Sequence, residues 1–230
     1  MHLKKLSSFT NKPPLQQKTV LCFCKYPDPG LAKLRLASRI GEERATAVYK
    51  ALLEHTVRMI SKGNHAGVLY CYPDTEHEFF RYCSSRYHVS LHNQQGDDLG
   101  ARMFHAISSH LNGSSYVVLV GSDCPELGPS YIRHAFRLLE AGNDIVLAPT
   151  LDGGYALIGA GKITRSIFEG ISWSSGQVLR QTLGRILELG WSHACLPEVR
   201  DMDTLSDYRY FLQNESYSHL FSAVCNTTGP

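Results

Sequence analysis

The stretch Tyr116-Val-Val-Leu-Val-Gly-Ser-Asp-Cys-Pro125 constrains the fold more than any other part of the chain. Val117 to Val120 is an unbroken apolar run rich in β-branched side chains, the pattern of a strand buried on both faces in a parallel sheet. Gly121 and Ser122 end the run, Asp123 follows at once, and Pro125 blocks further strand or an immediate helix. In open α/β sheets, ligands sit outside the carboxyl ends of the strands. Asp123 is therefore either a turn residue or a carboxylate presented to a metal ion or a substrate hydroxyl.

The flanking sequence extends this to an α/β chain. Thr19 to Lys25, Ala66 to Tyr72, Tyr87 to His92, Asp144 to Pro149 and Trp191 to Leu196 read as further strands. Gly41 to Lys62, Thr75 to Cys83, the stretch up to Leu111, Pro129 to Ala141, Gly176 to Leu189 and Leu205 to Leu212 read as helices. The alternation predicts a three-layer α/β/α fold with a mostly parallel sheet and right-handed crossovers. One domain is expected over residues 19–213, with flexible tails at 1–18 and 214–230.

Composition excludes several classes. A hydrophobic content of 43% and a charged content of 19% are those of a globular protein. The net charge of +2 is spread along the chain, which argues against a nucleic-acid groove. No apolar run is long enough to span a bilayer, and the first 18 residues lack a secretory apolar core. Seven cysteines without a C-x-x-C pair read as small buried residues in a reducing cytoplasm. His88 and His92 are placed to share a strand face, but without a third ligand they do not make a zinc site. Cys124 follows the central strand, yet no histidine is identifiably paired with it as a nucleophile's base.

Several connections carry chemistry. The loop after the first strand holds Pro27, Pro29 and Gly30 with Lys25, Lys33 and Arg35, a tight basic loop suited to phosphate. It has neither a Walker A pattern nor G-x-G-x-x-G. Gln95, Gly96 and Gly100 precede or open a helix: the glycines allow close backbone approach, Gln95 offers an amide to a base edge, and Asp97 or Asp98 serves equally well as N-cap. Asp152-Gly153-Gly154 reads as a hairpin turn or as bare backbone for a ligand, with Tyr155 beside it. Trp173, in a Ser-rich connection, is open to a site role or to core packing. Asp201 and Asp203 lie two apart, so an extended segment puts both carboxylates on one face and Met202 on the other. Thr204 or Asp203 caps the last helix.

Five motifs occur in order: Lys25-x-Pro-x-Pro-Gly-x-x-Lys-x-Arg-Leu36, Gln95-Gly-x-Asp-Leu-Gly-x-Arg-Met103, Gly121-Ser-Asp-Cys-Pro125, Asp152-Gly-Gly-Tyr155 and Asp201-x-Asp-Thr204. Together they resemble a bacterial family of small glycosyltransferase-A-like (GT-A) proteins, largely uncharacterised, some associated with arsenosugar biosynthesis. That family belongs to the nucleotide-diphospho-sugar transferase superfamily, which also holds molybdenum-cofactor nucleotidyltransferases and phospholactate guanylyltransferases. The resemblance implies a metal-dependent transferase that moves a sugar from a nucleotide sugar to a small acceptor. A nucleotidyltransferase releasing pyrophosphate from a nucleoside triphosphate, and a silent nucleotide-binding module, are the alternatives. It implies Asp123 and Asp203 as catalytic acids holding Mg²⁺ or Mn²⁺, supported by Asp201. Lys25, Gly30, Lys33 and Arg35 would line the diphosphate, Gln95 and Gly100 the nucleotide, and Asp152, Gly153, Gly154, Tyr155 and Trp173 the sugar or acceptor. Leu34 departs from the family's usual Lys-Thr-Arg-Leu and removes one hydroxyl from the phosphate loop.

Overall fold

The computed structural model describes residues 17–225. Its centre is a seven-stranded sheet: β1 (Lys18–Lys25), β2 (Ala66–Tyr72), β3 (Ser90–Asn93), β4 (Tyr116–Gly121), β5 (Ile145–Pro149), β6 (Tyr155–Ala160) and β7 (His193–Cys195). The spatial order is β3-β2-β1-β4-β6-β5-β7, and β6 alone runs against its neighbours. The helices are α1 (Leu34–Ile40), α2 (Glu42–Ile60), α3 (Glu78–Tyr87), α4 (Leu99–Leu111), α5 (Pro129–Glu140), α6 (Val178–Glu188), α7 (Leu205–Gln213), α8 (Glu215–Ser218) and α9 (Ser222–Cys225).

Alternation along the strands builds the two faces. Val20, Cys22, Leu69, Cys71, Val118, Val120, Val146 and Ala148 point to one side, where α2, α3 and α5 cover them with Val57, Phe80 and Phe136. Leu21, Val68, Tyr70, Val117, Leu119, Ile145 and Leu147 point to the other, under Met103 and Ile107 of α4 and Ile186 of α6. Apolar side chains on both faces are what a sheet sandwiched between helices requires, and the expected three-layer architecture is the observed one. Full burial of a side chain such as Phe80 contributes about 1.5–3 kcal/mol.

A further helical layer lies outside α2. Leu36 and Ala37 of α1, Val48 and Leu52 of α2, Tyr208 and Phe211 of α7, and Phe221 and Val224 beyond α8 form one buried cluster, in which α1 packs on α2 and α7 and the last segment packs on α2. The sequence reading has no helix at α1, because Pro27, Pro29 and Gly30 signal a loop; Leu36 and Ala37 make it helical by packing. The same contacts order residues 214–225, where a frayed tail was expected: Phe221 is fully buried. The arm expected over residues 1–18 lies outside the described residues apart from its last two, of which Lys18 opens β1. Two other boundaries move. His77, whose ring accepts the Phe79 amide, caps α3 later than expected, and the left-handed His88 ends it. His88 therefore lies outside β3 and shares no strand face with His92.

From β1 the chain winds to β2 and β3 on one side, then returns to β4 on the other side of β1. A crevice opens at such a switch point, at the carboxyl ends of the strands. Here those ends are Lys25 and Gly121.

Candidate active site at the switch point

Asp123 emerges two residues beyond β4. A Cβ on Gly121 would stand 3.0 Å from Asp123 Oδ1, so the bare glycine lets the carboxylate fold back over the strand end. Ser122 beside it is buried, its hydroxyl 3.1 Å from that of Tyr49 on α2. The Tyr49 hydroxyl also accepts the Lys25 amide at 2.9 Å, which ties the ends of β1 and β4 together. Tyr49 has no sequence signal beyond its place on the apolar stripe of α2, and the sequence reading missed it.

Lys33 is the other half of the centre. It occupies a left-handed conformation (φ 53°) ahead of α1, where its carbonyl accepts the Ala37 amide at 2.8 Å. That geometry turns its side chain inward until only 4% is exposed, with Nζ 3.1 Å from Asp123 Oδ2. Asp123, 44% exposed at its side chain, stays open to a ligand while a buried ammonium offsets its charge.

The third component arrives after β7. Residues 196–202 run across the carboxyl edge of the sheet: Leu196 N bonds Leu147 O at 2.8 Å, Val199 N bonds Pro149 O at 2.9 Å, and Met202 N bonds Asp123 O at 2.9 Å. Met202 is fully buried, as the alternation requires, and leaves Asp201 and Asp203 on the opposite face. Burial pushes the Asp201 carboxyl up to about 6; the charges of Asp123 and Asp152 add to the shift, and Lys33 opposes it. Asp203 Oδ2 receives Arg35 Nη1 at 3.0 Å. Arg35, Asp152, Ser174, Gly176 and Asp203 then line an open cleft of about 390 Å³. Lys33 and Arg35, both expected on phosphate, are thus each paired with a carboxylate.

Several of the expected site residues, Asp152 of the cleft among them, make structural contacts as well. Asp152 Oδ1 accepts Thr150 Oγ1 at 2.6 Å and Gly154 N at 3.0 Å, closing the turn between β5 and β6, so the hairpin reading of Asp-Gly-Gly holds. Gly153 has a φ of 87° and abuts Gly176, and its carbonyl accepts the Leu179 amide of α6 at 2.9 Å. Tyr155 packs into the core beneath α6; its hydroxyl is buried facing Thr182, so it does not reach the cleft. Trp173 also packs on that core, against Phe168. Gly100 is buried beneath it: a Cβ there would lie 2.8 Å from both Trp173 Cζ2 and Phe168 Cβ, so its small size serves packing against Trp173. Asp98 caps α4 by accepting the Ala101 amide at 2.7 Å. Lys25, Gly30 and Gln95 are exposed at the ends of β1 and β3, while neighbouring Gln94 turns inward and donates to the carbonyls of Cys24 and Tyr70. Leu34 is 61% exposed between Lys33 and Arg35. Cys124 is buried and its Sγ contacts Arg200 O, in keeping with a packing role.

Among the described residues, no three His, Cys, Asp or Glu side chains stand together as a ligating group. The donors suit a hard cation in another way. Mg²⁺ is usually held by one or two carboxylates plus substrate phosphates, with water completing its shell. Asp123 lies near enough to Asp201 to raise its carboxyl, and two such carboxylates are what a partial set of this kind needs.

The family model for uncharacterized proteins conserved in bacteria, DUF2064, matches residues 56–175. The chain belongs to this family. No curated protein matches it. Among solved structures, a provisionally assigned nucleotide-diphospho-sugar transferase from Desulfovibrio desulfuricans G20 is 25% identical, with a TM-score of 0.80 over 93% of this chain and 98% of that one. A cytidylyltransferase from Leptospira borgpetersenii is 16% identical (TM-score 0.51, 92% of this chain and 95% of that one). Glucosyl-3-phosphoglycerate synthase from Mycobacterium tuberculosis, solved with Mn²⁺, UDP and glucosyl-3-phosphoglycerate, is 10% identical (TM-score 0.52, 92% and 80%). The last two share the fold and establish no more than that. The fold is of the GT-A type, and the chain is an enzyme of transferase architecture. Among the described residues, no helix is long and apolar enough to cross a membrane.

Proposed function

We propose that the chain is a metal-dependent transferase acting on a nucleotide-activated donor, and that it transfers a glycosyl group from a nucleotide-diphospho-sugar to a small acceptor. The observation that carries this reading is the convergence of Asp123, Lys33 and the Asp201–Asp203 segment at the switch point. In this reading Asp123 and Asp201 hold Mg²⁺ or Mn²⁺ together with the donor's phosphates, in place of the expected Asp123 and Asp203, because Asp201 lies within reach of the Asp123 charge and Arg35 is paired with Asp203. The cation supplies charge neutralisation on the leaving diphosphate. Lys33 fixes the Asp123 carboxylate, and Arg35 fixes Asp203 at the cleft. Lys25 and the backbone around Gly30 face the diphosphate, and Gln95 the base. The catalytic unit is residues 19–213, with the helices after Asn214 packed against it. Six free cysteines among the described residues suit a reducing compartment such as the cytoplasm.

Asp123→Asn tests the reading. Isothermal titration with Mn²⁺ and UDP, CDP, GDP or ADP should show the wild-type signal lost in the variant, with circular dichroism unchanged. Equal binding by both proteins would overturn the metal role. Release of a nucleoside diphosphate on turnover identifies glycosyl transfer, whereas release of pyrophosphate identifies nucleotidyl transfer.

A further inference from the structure

Next to the Asp203 cleft, and sharing Arg35 with it, lies a second cleft of about 560 Å³ between α1 and α7. Its charge is one-sided. Arg35 and Arg39 stand four apart on α1, and Arg209 comes from the facing helix, so three guanidinium groups line the space and no acidic side chain does. Arg35 is paired with Asp203, whereas Arg39 and Arg209 have no acidic partner among the described residues. The start of α7 lines the same cleft at Leu205 and Ser206, and the acid of its first turn, Asp207, lies outside the cleft lining, taken up by Thr204 and Arg200. Tyr210 forms another wall and is held by the Arg200 guanidinium, 4.6 Å from its ring centroid.

We propose that this cleft binds the acceptor through a phosphomonoester. The inference rests on the transferase reading only for the word acceptor; the anion site itself follows from the cleft. Two unpaired guanidinium groups match a phosphate dianion in charge, and their planar forks match its oxygens in geometry. A single carboxylate would leave one of them uncompensated. Because Arg35 lines both clefts, a phosphate bound between α1 and α7 leaves the rest of a small acceptor directed towards Asp203 and the donor side.

Titration of the full chain with glycerol 3-phosphate, lactate and glycerol tests the assignment. Wild-type protein should bind glycerol 3-phosphate in preference to both others. Arg39→Gln combined with Arg209→Gln should weaken that binding at least tenfold. The same variant should bind its preferred nucleoside diphosphate with Mn²⁺ as tightly as the wild type, which shows that the fold and the donor site are intact. An equal loss of nucleotide affinity would assign the cleft to the donor's diphosphate and overturn the proposal. Unchanged glycerol 3-phosphate binding, no binding by the wild type, or lactate bound as tightly, would overturn it too. The transferase reading fails separately: glycerol 3-phosphate binding that persists when no nucleotide binds would support the cleft and refute the donor site.

Discussion

Replacing Gly153 by alanine separates an architectural role from a substrate-binding one. A Cβ at this position would sit 2.4 Å from the Gly176 carbonyl oxygen and within 2.9 Å of its Cα. Ordinary contact needs about 1 Å more, and both partners are backbone, so no side chain can rotate away. Overpacking of this kind costs about 1–3 kcal/mol. An L-residue held at a φ of 87° adds strain on the order of 1–2 kcal/mol. Together these predict a loss of about 2–5 kcal/mol, and for a chain of this size a fall in Tm on the order of 10 °C. Gly154→Ala is the internal control. Its Cβ would meet Thr150 Oγ1 at 3.1 Å and Asp152 Oδ1 at 3.2 Å, both ends of side chains, and its φ is not in the left-handed region. It should cost less than half as much. Urea unfolding followed by tryptophan fluorescence measures both. A Gly153→Ala variant that loses under about 1 kcal/mol, or no more than Gly154→Ala, would refute the packing argument. Loss of donor binding at full stability would restore the substrate role.

Gly100→Ala should destabilise by about 1–3 kcal/mol by forcing Trp173 and Phe168 outward, and a shift in Trp emission at unchanged activity per folded molecule would accompany it. Thr204→Ala removes the acceptor that caps α7 and pairs reciprocally with Asp207; it should cost about 1 kcal/mol in denaturant unfolding. Asp144 ties β5 to β7 through Ser192 and to Lys162 at 2.9 Å. Burial alone would raise its carboxyl, but the bonds from Lys162 and Ser192 outweigh that and hold it below the ordinary carboxylate value. A depressed folded-state value gives stability that is present above the unfolded value of about 3.9 and lost as pH falls through the folded one. The Tm gap between wild type and Asp144→Asn should therefore be full at pH 6 and shrink below pH 4. A gap independent of pH would rule out the carboxylate's charge as its source.

Six of the seven strands were legible because their signal is local: a β-branched run such as Val117–Val120 cannot be buried on both sides except in a covered sheet, whereas β6, the apolar run after the Asp-Gly-Gly turn, was not named as one. The alternation around Met202 was legible for the same reason, and it set Asp201 and Asp203 on one face. What joins them to Asp123 was not. The Lys33–Asp123 and Arg35–Asp203 pairs span 90 and 168 residues, and no local pattern encodes which cation meets which acid. The glycines at 100 and 153 were visible as sites of close approach, but the approaching group proved to be Trp173 and Gly176, neighbours that only the tertiary fold supplies. The helix α1 was hidden because Lys33 starts it in a left-handed conformation without a side-chain cap, against every N-terminal signal.

The helices after Asn214 give the end of this chain leverage on its centre. Phe221 and Val224 join the buried cluster of Val48 and Leu52 on α2, the helix whose Tyr49 hydroxyl ties the ends of β1 and β4 together, while α1 rests on α2 and α7. A chain shortened at residue 213 would keep every strand, both acidic arms and the α7 support of α1, yet α2 would lose the cover over Val48 and Leu52. The Tyr49 clasp would then be loosened before the sheet was, so the segment after Asn214 bears on the crevice through α2 without touching it.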